Sequence, residues 1–185
     1  MKKIVIVCGL IAGGIETAML VVMTVLMRGN ENYHGSLVLG YATMLLAFSL
    51  VFVGVKNFRD KYNEGVIGFG KAFKIGLYIT LIASTIYVLV WLVDYYVFVP
   101  DYLDRYASQI IQQAKSTGAT ASEIDKQTQQ LATYKEMYKN PLFVVLLTYA
   151  EILPVGLLVS LITALILKRK KAKANMEQSK YNVEM

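Results

Sequence analysis

Leu37-Val-Leu-Gly-Tyr-Ala-Thr-Met-Leu-Leu-Ala-Phe-Ser-Leu-Val-Phe-Val-Gly-Val55 is a run of 19 residues without a single charge. A helix rises 1.5 Å per residue, so about 20 apolar residues match the hydrocarbon thickness of a bilayer. This run therefore reads as a transmembrane helix, and three companions lie on either side of it. Residues 4 to 27 contain one charge, Glu16; residues 72 to 99 carry Lys74 near one end and Asp94 near the other; residues 142 to 167 contain Glu151. The expected fold is all-α, an integral membrane bundle of four helices.

Composition agrees with that reading. Of 185 residues, 56% are hydrophobic and 17% charged, where soluble domains carry roughly 25% charge. With a mean hydropathy of +0.47, an ordinary water-soluble globule is excluded. The Lys2-Lys3 start invites a signal-peptide reading, but the following run has 24 residues, and a signal core has roughly 7 to 15. No small-x-small cleavage pattern follows Met27, so the first segment is expected to remain as a helix.

Orientation follows from Lys and Arg, which concentrate on the cytoplasmic side of membrane proteins. With the N-terminus cytoplasmic, that side holds 13 of the 19 basic residues, including Lys56, Arg59, Lys61, Lys71 and the run Lys168 to Lys171. The other side holds six over much more chain. Both termini are therefore expected to be cytoplasmic. Trp91, Tyr95, Tyr96 and Tyr102 at one end of the third span, and Tyr138 and Phe143 at the start of the fourth, fit a single aromatic belt at the outer interface.

The basic tail explains the net charge of +6 as a topology signal with some attraction to anionic lipid. It has no interleaved aromatics and no folded reading module, which argues against nucleic-acid binding. Residues 172 to 185 are polar and expected to be disordered. Residues 100 to 141 read as an extracytoplasmic helical hairpin. Leu103, Tyr106, Ile110 and Ile111 recur at helical spacing before Gly118, and Ile124, Leu131, Tyr134 and Tyr138 after it. Thr120-Ala-Ser-Glu123 fits a capping box. The stripes are expected to face each other, with Ile110 and Leu131 meeting across the turn, or else to face a partner.

Several motifs invite chemistry and fall short of it. One Cys and one His exclude an internal disulfide and a zinc site of four Cys or His ligands. Cys8 reads as a small hydrophobe in a span and His34 as a solvated loop residue. Gly65-Val-Ile-Gly-Phe-Gly-Lys71 begins like a phosphate-binding loop, but Ala72 stands where a magnesium-binding hydroxyl is needed. A flexible cytoplasmic turn is the plainer reading. Gly9 and Gly13 form a small-xxx-small pattern that serves either packing within the chain or dimerisation.

Glu16 and Glu151 carry the strongest functional signal, because an ionisable group in a span costs a few kcal/mol and usually faces the bundle or a watery cavity. Counting along the helices puts both near the midplane, with Glu151 about 5 Å outward of it. Thr43, Ser84 and Thr85 reach the same layer, and no Lys or Arg does. The two acids are expected to share a proton and hydrogen bonds with each other or with hydroxyls. Pro154 and Gly156 are expected to loosen the fourth helix beside Glu151.

The stretch from Gly40 to Val55, continuing through Lys56-Asn-Phe-Arg59-Asp60, resembles the second span of a bacterial membrane family catalogued as domain of unknown function 4199. Further resemblances follow in order: Gly65 to Gly76, Pro100-Asp101, Tyr138-Lys-Asn-Pro141 and Glu151-Ile-Leu-Pro154-Val-Gly156. Together they cover about residues 4 to 170. The resemblance implies a four-helix inner-membrane protein with no assigned activity, and it gives weight to Glu151, Pro154 and Gly156 as a site. The expected function is that of a non-enzymatic accessory or scaffold subunit, without cofactors. Its partners would be the lipid bilayer and a membrane-protein partner or a second copy. The alternative is a small transporter or proton-linked carrier using the intramembrane carboxylates.

Overall fold

The structure is a computed structural model that describes residues 1–29 and 37–169. His34, the basic residues from Lys170 onward and the tail lie outside the described residues. Among the described residues six α-helices follow in order: α1 Lys2–Gly29, α2 Leu37–Tyr62, α3 Phe69–Val93, α4 Tyr102–Ser116, α5 Ala121–Met137 and α6 Pro141–Leu167. A π-helical turn, Asp94–Phe98, continues α3. There are no strands among the described residues. Four helices are long and apolar enough to cross a membrane, over Lys2–Leu26, Val38–Tyr62, Phe69–Phe98 and Pro141–Leu167. The protein is a multi-pass membrane protein.

Two boundaries differ from expectation. The second helix runs on from 55 to Tyr62, and the third begins at Phe69, ahead of residue 72. Hydropathy reports where the apolar layer ends, whereas Lys56 to Tyr62 contains no Gly or Pro and prolongs the helix past that layer. The connecting turn is also tied down. Glu64 and Gly65 adopt positive φ, and Gly65 N–H donates to the Arg59 carbonyl at 2.9 Å. Ile67 pairs with Arg169 through two backbone hydrogen bonds of 3.2 and 2.8 Å, joining this turn to the end of α6. Lys71 donates to Asn63 Oδ1 at 2.9 Å and lies over the Phe58 ring. The glycine-rich stretch is thus a clasp between helices, and its lysine is engaged in it.

Helix positions follow from close contacts at glycines. A methyl added at Gly9 or Gly13 would come within 2.8 Å of Ile82 or Ile86, so the small-xxx-small face of α1 is used against α3 of the same chain. These pairs rise together, which makes α1 parallel to α3. Gly76 lies against Ser160 and Gly156 against Thr80 and Phe48, which sets α6 antiparallel to α3. α1 and α6 each pack on α2 and α3, while α2 also touches α3. The four spans therefore form a lozenge in which α1 and α6 occupy opposite corners. Its centre is filled by Phe48, Val51, Ile75, Ile79, Ala83 and Ile152, all fully buried. Large side chains around the outside, such as Val38 at 80% exposure, form the surface that lipid would cover.

Residues 102–137 form a helical hairpin as expected. Gly118 takes φ +81° in the turn, a conformation that glycine adopts without a Cβ penalty. Thr120 and Glu123 form the capping box in full, with Glu123 Oε2 accepting from Thr120 N–H at 2.8 Å. The hydrogen bonds from Thr120 hold the Glu123 carboxyl below its ordinary range. The seam between the arms contains Leu103, Ala107 and Ile111 from α4, and Thr128, Leu131 and Ala132 from α5. Lys135 reaches Asp104 across it at 2.5 Å. Ile111, rather than Ile110, meets the second arm.

Candidate functional site

The apolar stripe of α4 divides into two faces. One face forms the hairpin seam, and the other, with Tyr102, Tyr106, Gln109, Ile110 and Gln113, covers a cavity of about 830 Å³ in the adjoining half of the bundle. Each span contributes a short, separate segment to its wall. α1 supplies Glu16, Met19, Leu20, Met23 and Thr24; α2 supplies Gly40, Tyr41, Thr43 and Met44; α3 supplies Tyr87 and Trp91; α6 supplies Thr148 and Glu151, with Tyr138 just before it. The innermost residue from each helix is Glu16, Met44, Tyr87 or Glu151. Below that floor lie the fully buried Phe48, Ala83 and Ile152, so the core plugs the bundle beneath the cavity.

The register places the acids. Gly13 lies opposite Ile86, Thr85 opposite Tyr149, and Thr80 opposite Gly156. Glu16 is thus level with the turn after Tyr87, and Glu151 with Ser84 and Thr85, which separates them by about five residues of rise, or ~7.5 Å, with Glu151 on the inward side of Glu16 rather than outward of it as counting along each helix predicts. Because α1 and α6 are antiparallel, and side chains lean toward the N-terminus of their helix, the two carboxyls lean toward each other in depth. Tyr87 stands within electrostatic reach of both. Glu16 is 2% exposed, and neither carboxyl oxygen has a hydrogen-bond partner among the described residues. Glu151 is exposed on the cavity wall. Among the described residues, no Lys, Arg or His lines the cavity.

The other expected site residues separate. Thr43 lines the cavity, with its hydroxyl donating to the Leu39 carbonyl at 2.8 Å. Ser84 is fully buried in the bundle, outside the lining, and its hydroxyl has no partner among the described residues. Thr85 is exposed, outside the lining, and shares a 2.8 Å hydrogen bond with the Tyr149 hydroxyl. α6 continues through Pro154, whose ring nitrogen offers no hydrogen bond to the Ala150 carbonyl. Gly156, by contrast, is a tight packing point, since an added methyl would come within 2.3 Å of Thr80 Cγ2. Its carbonyl accepts from Thr80 Oγ1 at 3.3 Å, and Thr80 and Ser160 hydroxyls lie 3.2 Å apart.

Two features escaped the sequence reading. Asp94 is 5% exposed, and its Oδ2 accepts a 2.5 Å hydrogen bond from Thr24. This pair anchors the end of α1 to the π-helical turn, where Val99 N–H donates to the Asp94 carbonyl at 2.9 Å. The aromatic residues taken as interface markers form a connected cluster beside the cavity. Trp91 and Tyr102 meet edge to face at 5.1 Å, Tyr102 stacks with Tyr106 at 6.3 Å, and Tyr95 meets Tyr138 at 5.2 Å. Burial, reinforced by neighbouring phenols and Glu151, pushes Tyr102 and Tyr138 up to about 12, so both remain hydrogen-bond donors at ordinary pH.

Residues 8–169, nearly the whole described chain, match a single family. The chain belongs to the family described as "Protein of unknown function (DUF4199)". Its matched region begins at Cys8 in the core of α1 and ends at Arg169 in the clasp, so it includes most of the first span, the other three spans, the hairpin and every cavity residue named above. The four-helix membrane bundle with an inserted hairpin is accordingly the architecture of this DUF4199 protein. Comparison with curated proteins and with solved structures gives no match.

Proposed function

We propose that this DUF4199 protein is a non-enzymatic, proton-linked carrier of a small solute, with its binding site in the cavity between Glu16 and Glu151. The observation that carries this reading is Glu16 itself. A carboxyl in a span costs a few kcal/mol, and here Glu16 borders the cavity with both its oxygens buried and without a partner among the described residues. A scaffold subunit accounts for the apolar outer surface but gives that acid no role. In the carrier reading, Glu16 alternates between holding a proton and holding the solute, and Glu151, about a turn and a half deeper, is the second proton-exchanging group. Pro154 weakens α6 at the level of the plug, where a carrier needs to open.

The basic residues support an inner-membrane orientation with both termini cytoplasmic, which puts the hairpin and the cavity mouth outside. The decisive experiment is flux. Purified protein is reconstituted in vesicles containing a pH-sensitive dye, a pH gradient is imposed, and cationic, neutral and anionic solutes are added in turn. Coupled dissipation that needs the protein and is abolished by Glu16→Gln, with the variant still monodisperse, supports the carrier. Wild-type vesicles without coupled flux for any solute class, under either gradient, overturn it.

A further inference from the structure

We propose that the cavity recognises an amphipathic organic monocation, of the quaternary ammonium or phosphonium type, held by Glu16 against an aromatic wall. This deepens the carrier reading and rests on it for the site. Charge sets the sign of the ligand, because among the described residues the lining holds two carboxyls and no cationic side chain. An anionic solute would meet both acids in a poorly solvated space with nothing to balance it.

The remaining lining sets the chemical class. Six aromatic residues among those described line the cavity: Tyr41, Tyr87, Trp91, Tyr102, Tyr106 and Tyr138. Tyr102 and Tyr106 are nearly parallel, at 8°, and Trp91 stands at 83° to Tyr102, so the rings make two walls at right angles. Aromatic faces attract soft, weakly hydrated cations, and perpendicular ring walls are how quaternary ammonium groups are caged. Met19, Met23 and Met44 add polarizable, adaptable surface suited to ligands of varied shape. A bare metal ion fits poorly, since no cluster of three acidic, His or Cys side chains exists among the described residues. About 830 Å³ lies within the ordinary range for small organic ligands, roughly 300 to 1,000 Å³.

The test compares two ions of nearly equal shape and opposite charge. The full chain in mild detergent is equilibrated with radiolabelled tetraphenylphosphonium, and tetraphenylborate is offered as competitor. The expected result is saturable binding at one site per chain, competition by the borate at least about tenfold weaker than by unlabelled phosphonium, and about tenfold weaker binding in Glu16→Gln. Glu123→Gln, on the exposed hairpin, should bind as wild type. Equal competition by the two ions, or wild-type affinity in a folded Glu16→Gln protein, overturns the proposal. Should Glu16→Gln fail to fold, emission from Trp91, the one Trp in the sequence, decides with the wild-type chain. A saturable change with the phosphonium alone supports the proposal, and no change, or the same change with both ions, overturns it. Because binding at equilibrium needs no gradient, loss of cation recognition and loss of transport are read separately.

Discussion

Glu16 on α1 and Glu151 on α6 line one cavity although their helices occupy opposite corners of the bundle and meet only through α2 and α3. The separation keeps the carboxyls on different walls, with Tyr87 between them in depth. Two acids on adjoining helices would instead pair directly and close the space. The lozenge arrangement depends in turn on glycine contacts that draw α3 against both α1 and α6.

Those contacts give the first prediction. Gly156→Ala introduces a methyl 2.3 Å from Thr80 Cγ2 and 2.9 Å from Phe48, and overpacking of this kind costs about 1 to 3 kcal/mol. Gly14 has nothing within 4 Å, so Gly14→Ala should be neutral or slightly stabilising through helix propensity. Thermal unfolding in detergent, compared between the two variants, measures the difference.

The glycines also mark how much was legible in the sequence. Spans are set by a long apolar run, and a capping box by residues three apart, so both could be read directly. Gly9 and Gly13 announced close packing but not the partner, because any smooth helix face satisfies the pattern. Thr85 could not be assigned for a related reason. Depth follows from counting, but the side facing the cavity depends on how helices distant in sequence dock. The π-helical turn at Asp94 shifts the helical phase without a Pro or Gly to signal it. The stripe on α4 was visible, and its division between Ile111 in the seam and Ile110 in the cavity was not.

That division is itself testable. Ile111→Asp places a charge in the seam beside Leu131 and should raise the susceptibility of the hairpin to protease without removing the protein from the membrane. Ile110→Asp adds an acid to the cavity and should leave hairpin cleavage close to wild type. Limited proteolysis of membrane vesicles distinguishes the two.

Alkaline pH should act through Tyr102 and Tyr138. Both phenols are raised by burial from 10 to about 12, so the folded state disfavours their ionised form. Stability is therefore fully present below about pH 10, where unfolded tyrosine is neutral, and is lost as pH rises through about 12. Tyrosinate absorbance should lose one phenol from its late-titrating phase in each of Tyr102→Phe and Tyr138→Phe.

Orientation is checked by placing a single Cys at Gly118 or at Asn63 in a Cys8→Ser background. With both termini cytoplasmic, a membrane-impermeant thiol reagent labels intact spheroplasts at position 118 and not at 63. Labelling at 63 alone would reverse the assignment and put the cavity mouth on the cytoplasmic side.

The most direct measurement for the account as a whole is the reactivity of Glu16 toward an apolar carbodiimide, read residue by residue by mass spectrometry. A carboxyl buried in a cavity that binds cations should react with the lipid-soluble reagent at neutral pH, faster than the exposed Glu123. Tetraphenylphosphonium should protect it, and a water-soluble carbodiimide should show the opposite preference. Glu16 that resists the apolar reagent, or that reacts equally with and without the phosphonium, would contradict a buried proton- and cation-exchanging site at this position.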